Sequence, residues 1–280
     1  MTTAFLFPGQ GSQSSGMGTD LFSRYSELVK QSNEILGYSI EKLCQNESDT
    51  QLNLTNYTQP ALYIVSCLQY RLYIENGEKP SFAAGHSVGE FAALECANAF
   101  SFIDGLRMVI KRGEIMSKVT GGGMAAVIGM EADQISKVLL EENADQIDLA
   151  NYNSPGQIVI SGLDEQIKRV LQPIKEAGAR MVVPLKVSGA FHSRMMLEPA
   201  NEFSDFIKKF NFSVPSFPVF SNVEANAYES AESIPELLVK QIYSPVRWVE
   251  VIKGLNQEGV TDFQECGPGN VLTKLLKQIL

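Results

Sequence analysis

Two rhythms alternate along the chain: short, unbroken apolar runs, and longer stretches in which apolar residues recur every three to four positions. Phe5-Leu6-Phe7 is an apolar run that stops at Pro8-Gly9, and Ser81-Phe82-Ala83-Ala84 leads in the same way into Gly85-His86-Ser87-Val88-Gly89. Runs of this kind, ended by glycine or proline, predict buried strands entering tight loops. Asn33 to Leu43, Pro60 to Asn76 and the segment from Glu90 onward have helical spacing, while the asparagines and threonines from Asn53 to Thr58 predict a loop. Helices alternating with buried strands imply an α/β unit with a largely parallel sheet.

The rhythm changes after Gly121-Gly122-Gly123. Met124 to Met130 reads as strand, Asp133 to Glu142 as helix, and Ile147 to Asn151 with Gln157 to Ser161 as a hairpin. Asp164 to Ala177 follows as helix and Arg180 to Ser188 as strand. The order βαββαβ is that of a ferredoxin-like unit. The expected organisation is therefore a small subdomain at residues 123–190 inserted into a large α/β subdomain made of 1–122 and 191–280. In the second part of the large unit, strands are expected near Phe217 to Ser221 and Asp262 to Cys266. Helices are expected near Val249 to Glu258 and after Gly267-Pro268-Gly269.

A chain of 280 residues with 44% hydrophobic content can bury a core of this size without staples. Cys44, Cys67, Cys96 and Cys266 form no CxxC pair and have no histidine at ligand spacing, so they are expected to be reduced core thiols, with no metal site. The first residues lack a signal-peptide pattern and no stretch reaches transmembrane length, giving a cytoplasmic expectation. A net charge of −9 argues against nucleic acid or an anionic membrane as partner. Lys168 with Arg169, and Lys208 with Lys209, are either local basic patches or solvated helix faces. A monomer is the default expectation.

Gly85-His86-Ser87-Val88-Gly89 fits the GxSxG elbow, in which a serine stands on a sharp strand-to-helix turn. The glycines let strand and helix approach closely, and the helix N-terminus offers N–H groups to a developing oxyanion. Such a serine needs a base, and the chain has two histidines, His86 and His192. His86 is adjacent to Ser87, where neighbouring side chains diverge, which points to His192 in Gly189-Ala190-Phe191-His192-Ser193. No acid stands out to complete a triad: Glu131, Asp133, Glu141 and Glu142 look like solvated helix residues, and a neutral acceptor could orient the histidine instead. Pro8-Gly9-Gln10-Gly11-Ser12-Gln13 fits a dinucleotide fingerprint poorly, because Ser14 stands at the last glycine position. It is either an ordinary glycine loop or one lying beside Ser87 that donates a second oxyanion N–H from Gln10. Arg112 has a guanidinium suited to holding a carboxylate through two parallel hydrogen bonds.

Together, Pro8 to Gln13, Gly85-His86-Ser87-Val88-Gly89-Glu90, Arg112, Ala190-Phe191-His192 and Gly267-Pro268-Gly269 resemble the malonyl-CoA:acyl-carrier-protein transacylase family, over essentially Phe5 to Leu276. Within that family the chain resembles the discrete, trans-acting acyltransferases of modular polyketide synthases. The resemblance implies a hydrolase-like large subdomain, a ferredoxin-like small one and an active site in the cleft between them. It implies Ser87 as nucleophile, His192 as base, and the backbone N–H groups of Gln10 and Val88 as oxyanion hole. It further implies a main-chain carbonyl near Gln241 orienting His192, and Arg112 clamping the malonyl carboxylate. Val88 replaces a common leucine. Phe191 stands where fatty-acid-synthesis members often carry serine, and Ala-Phe-His resembles malonyl-selective polyketide enzymes.

The implied substrates are malonyl-CoA and a phosphopantetheinylated acyl carrier protein, with no bound cofactor. Rival readings are an acyl hydrolase that clears carrier proteins, the transacylase of fatty-acid synthesis, and a noncatalytic docking module. An enzyme releasing neutral acyl groups would gain nothing from a buried Arg112, which would carry a desolvation cost.

Overall fold

The computed structural model describes residues 2–45, 50–187 and 189–280. Its first sheet contains β1 (Thr3–Phe7), β2 (Phe82–Gly85), β7 (Val219–Phe220) and β8 (Asp262–Glu265), all parallel, in the order β7-β2-β1-β8. β1 is apolar from Ala4 to Phe7 because helices cover both faces of the sheet, leaving no solvated side to alternate toward.

The register carries the functional consequence. Phe7 pairs with Gly85 and Leu6 with Glu265, so β1, β2 and β8 all end at one edge. The loops beginning at Pro8, His86 and Cys266 emerge there together. This is the edge where open α/β sheets hold their ligands, at the carboxyl ends of the strands.

The second sheet contains β3 (Gly122–Ile128), β4 (Ile147–Ser154), β5 (Gln157–Leu163) and β6 (Met181–Pro184), all antiparallel, in the order β4-β5-β3-β6. With α7 (Ala132–Glu141) and α8 (Asp164–Glu176) it gives the expected βαββαβ order and the ferredoxin-like arrangement. Ile135, Val138 and Leu139 of α7 and Ile167, Val170 and Ile174 of α8 pack on Ala125, Val127, Ile158 and Ile160, a core of its own. The outer edge of β4 is tied to the rest of the chain: Tyr152 N donates to Val246 O at 2.9 Å and Val246 N donates to Ala150 O at 2.9 Å.

Several expected elements shift. Asn33 to Leu43 is not one helix but the end of α2 (Ser26–Leu36) and the start of α3 (Ile40–Gln45), separated at Gly37, whose φ of 76° ends α2. The expected loop at Asn53 to Thr58 is instead the first turn of α4 (Thr55–Glu75), because Tyr57 and Thr58 bond back to Leu54 O and the Thr58 hydroxyl donates to Leu52 O. β6 stops at Pro184, with one further main-chain bond from Leu185 N to Met124 O at 2.9 Å, so the expected strand to Ser188 is shorter, and Ser188 itself lies outside the described residues. The first sheet is flanked by α1 (Thr19–Arg24), α5 (Gly89–Cys96), α6 (Phe102–Ser117), α9 (Leu197–Ile207), α10 (Ser233–Tyr243), α11 (Trp248–Gln257) and α12 (Val271–Ile279). No described helix is long and apolar enough to cross a membrane.

Candidate active site

Ser87 sits between the end of β2 and the start of α5 with φ of 52°, a left-handed conformation that a serine rarely adopts. Close packing enforces it. A Cβ on Gly85 would lie 2.0 Å from Gly89 C, and one on Gly89 would lie 2.1 Å from Phe7 O, so only glycines allow α5 to start against both strands. Gly9 meets the same constraint from the other side, since a Cβ there would lie 2.5 Å from His86 O. The loop after β1 therefore abuts the elbow, and Gln10 and Val88 line the same cavity, about 90 Å³ in volume, as Ser87, Arg112, Phe191 and His192.

His192 also has positive φ, 57°, and its Nε2 lies 2.8 Å from Ser87 Oγ. Its Nδ1 lies 2.8 Å from the main-chain oxygen of Gln241, in the last turn of α10. That carbonyl can only accept, so Nδ1 carries the proton and Nε2 presents its lone pair to the serine. Burial, with Arg112's charge beside it, pushes the imidazole pKa down to about 3, so the ring is neutral at physiological pH. His86 does not face Ser87 Oγ. Its Nε2 meets Asn153 Oδ1 of β4 at 2.8 Å, and its ring packs edge-on against Trp248.

Arg112 lies within α6, five residues before its end, and is 1% exposed. Its Nη1 donates to Gln59 Oε1 at 2.6 Å, and its Nη2 to Gln241 Oε1 at 2.8 Å and Ser87 Oγ at 3.1 Å. Its Nε is buried without a partner. Among the described residues this guanidinium thus holds only neutral acceptors, and desolvation lowers its pKa to about 9.

Sequence reasoning missed the roles of Asn222 and Glu90 in holding the elbow, and of the Gln241 side chain. Asn222, just past β7, accepts from Ser87 N at 2.7 Å and donates to Gly85 O at 2.6 Å. Gln241 contributes its side chain as well as its carbonyl, with Nε2 donating to Ser87 O at 3.0 Å. Glu90 is fully buried and accepts from Tyr228 and Gln241. Its signal was present: one carboxylate inside the otherwise small and apolar run Gly89 to Leu94. It does not touch His192, so it is not a triad acid. Glu131, Asp133 and Glu141 are exposed.

The side of the cavity facing the second sheet is formed by Met124, Asn151, Leu185 and Val187. Lys168 pairs with Asp164 and Lys208 with Asp205 on their own helices, which is the solvated-face reading of those basic pairs. The four cysteines are free and buried. Cys67, Glu95 and Cys96 bring their ligand atoms within 4.8 Å of one another, but the Glu95 carboxylate is held by Arg71 at 2.5 Å.

The acyl transferase domain model matches residues 4–280. The polyketide biosynthesis malonyl CoA-acyl carrier protein transacylase PksC of Bacillus subtilis (strain 168) is 48% identical over 277 residues, which is 98% of this chain and 96% of PksC. The polyketide biosynthesis protein ThaF of Burkholderia thailandensis is 48% identical over 278 residues, 99% of this chain; the chain spans only 24% of ThaF. A malonyl-transacylase solved in complex with its type II polyketide synthase acyl-carrier protein superposes with a TM-score of 0.95 at 38% identity, covering 100% of this chain and 93% of that one. With the family model spanning nearly all of it and a near full-length relative at this identity, the chain belongs to the acyl transferase domain family, among the malonyl CoA-acyl carrier protein transacylases.

Proposed function

We propose that this chain transfers malonyl from malonyl-CoA to the phosphopantetheine thiol of an acyl carrier protein of polyketide synthesis, through a malonyl ester on Ser87. The observation that carries the reading is Arg112: a buried cation 3.1 Å from the nucleophile, with neutral partners and a bare Nε, is incomplete until a carboxylate arrives beside Ser87. The names of PksC and of the carrier-protein complex support the substrate and the partner. In this reading residues 1–122 and 191–280 carry the chemistry, and 123–190 supply the opposite wall of the cleft.

His192 takes the Ser87 proton at Nε2, and the serine attacks the thioester carbonyl. The N–H groups of Gln10 and Val88 meet the oxyanion, and as the C–S bond breaks the imidazolium gives its proton to the departing coenzyme A sulfur, which leaves as the thiol. The carrier thiol then reverses these steps, completing a ping-pong exchange. Gln241 O orients the ring in place of a carboxylate. When the malonyl carboxylate neutralises Arg112, one of the causes that depress His192 disappears, so the base strengthens only once the correct acyl group is seated. Phe191, Met124 and Leu185 keep the cavity apolar and limit attack by water.

Intact-mass spectrometry with malonyl-CoA and acetyl-CoA, then with phosphopantetheinylated carrier protein, tests the reading. A malonyl adduct that is absent in Ser87→Ala and moves to the carrier is the expected result. Adducts from neutral acyl groups released only to water would make the protein a hydrolase.

A further inference from the structure

Glu90 lies one helical turn beyond Ser87 on α5, is 0% exposed, and takes no part in the proton transfers described above. Its carboxylate is the meeting point of three elements. Tyr228, in the segment after β7, donates its hydroxyl to Oε1 at 2.5 Å. The Asn222 N–H reaches both oxygens, at 3.3 and 3.2 Å, and the Gln241 side chain of α10 donates to Oε2 at 2.5 Å. Two of these partners are the residues that grip the nucleophile: Asn222 Oδ1 holds Ser87 N and Gln241 Nε2 holds Ser87 O. Gln241 also accepts from Arg112 and from His192. The strained φ of Ser87 thus depends on two side-chain amides, and a single carboxylate holds the Gln241 amide directly and the main chain that carries Asn222.

We infer that Glu90 is a positioning residue for acyl transfer, whose carboxylate anchors the Asn222 main chain and the Gln241 side chain in the placement that keeps the Ser87 elbow, His192 and Arg112 in register. Gln241 shows why the charge matters. Its Oε1 must face Arg112 and its Nε2 must face an acceptor, and a carboxylate offers two acceptors without a competing donor. A neutral carboxyl or amide at position 90 places a donor among donors. Burial raises the Glu90 pKa to about 7, against the lowering effects of Tyr228, Gln241, Asn222 and the nearby Arg112. The other titratable groups facing it are Tyr228, pushed well above its ordinary value, and Arg112, at about 9, so neither changes charge with it near neutrality. Protonation of Glu90 below that pH has the same effect as Glu90→Gln.

This inference rests on the malonyl-Ser87 reading, and the experiment separates the two. The initial rate of malonyl adduct formation is measured against malonyl-CoA concentration and pH in wild type, Ser87→Ala, Glu90→Gln and Tyr228→Phe, each normalised to folded protein by circular dichroism. An adduct persisting in Ser87→Ala would overturn the functional reading. With that reading intact, Glu90→Gln is expected to lower kcat on the order of 10- to 100-fold with KM changed less than about threefold, as for a misplaced reacting group. Tyr228→Phe, which keeps the carboxylate but removes one donor, lowers kcat several-fold. Wild-type kcat/KM falls toward the Glu90→Gln level as pH drops through about 7, whereas the Glu90→Gln profile carries only the ionisations of the thioester's own phosphates. Wild-type rates in both variants, or a pH profile in Glu90→Gln that keeps the wild-type limb unchanged in position and amplitude, would overturn the assignment.

Discussion

The two sheets solve opposite problems. The parallel sheet buries charge and strain: Ser87 and His192 have positive φ, Arg112 and Glu90 are removed from water, and glycines bring backbones within the reach of a methyl group. The antiparallel sheet follows the ordinary rules of an amphipathic α/β layer, with apolar faces inward, ion pairs such as Lys137 with Glu141 outward, and a core separate from that of the first sheet. What differs is where charged groups must be satisfied without solvent. That condition holds in the half that carries Ser87, His192 and Arg112, while Met124 and Asn151 of the other half line the same cavity.

The glycines offer the hardest break of this comparison. Gly85→Ala places a methyl group about 2 Å from the α5 backbone and should cost more than ~3 kcal/mol, with loss of folded protein. Gly156→Ala in the β4–β5 hairpin, where the added methyl group would meet only the Gly129 backbone at 4.0 Å, should stay within about 1 kcal/mol. Urea unfolding of both variants checks the contrast. Next come the arginines. Arg112→Ala should lower kcat/KM for malonyl-CoA on the order of 10²-fold or more, because a buried charge partner is lost, and leave acetyl transfer comparatively untouched. Arg169→Ala on α8, which holds only the Glu142 and Asn143 carbonyls at the surface, should leave both rates unchanged in the same thioester assay.

The histidine prediction concerns sign. A ring with pKa near 3 is neutral, and able to accept a proton, at every pH above that value, so His192 gives no inflection near 6.5. Nitrogen NMR of histidine-labelled protein should show Nδ1–H and a bare Nε2 from pH 5 to 8, and protonation within that window would refute it. The smallest effect belongs to the strut joining the two halves. Arg194, two residues past His192, grips Asp148 of β4 with Nη2 at 2.5 Å, but the pair is exposed. Asp148→Asn should therefore cost no more than about 1 kcal/mol in thermal unfolding and barely change kcat.

The elbow was legible in the amino-acid order because its constraints are local: strand, glycine, serine, glycine, helix is a contiguous pattern whose sterics need no distant partner. The ferredoxin-like order was legible for the same reason, since each element carries its own period and turn residues. The Asn53 to Thr58 segment was misread because asparagine and threonine favour loops and helix starts alike, and only the hydrogen bonds back to Leu52 and Leu54 decide between them. α9 and α10 were not anticipated, and with α10 the side-chain role of Gln241 stayed hidden.

The sequence alone determined which residues could do chemistry here: a serine in an elbow, two histidines of which one was well placed, and an arginine suited to a carboxylate. Only the tertiary structure decided how they are satisfied. Ser87 and Asn222 are 135 positions apart, Glu90 and Gln241 151 positions apart, and no local pattern reports contacts over such separations. The physical reason is that a buried polar group must find its partner somewhere in the fold. Chain order states the need, and packing alone names the partner.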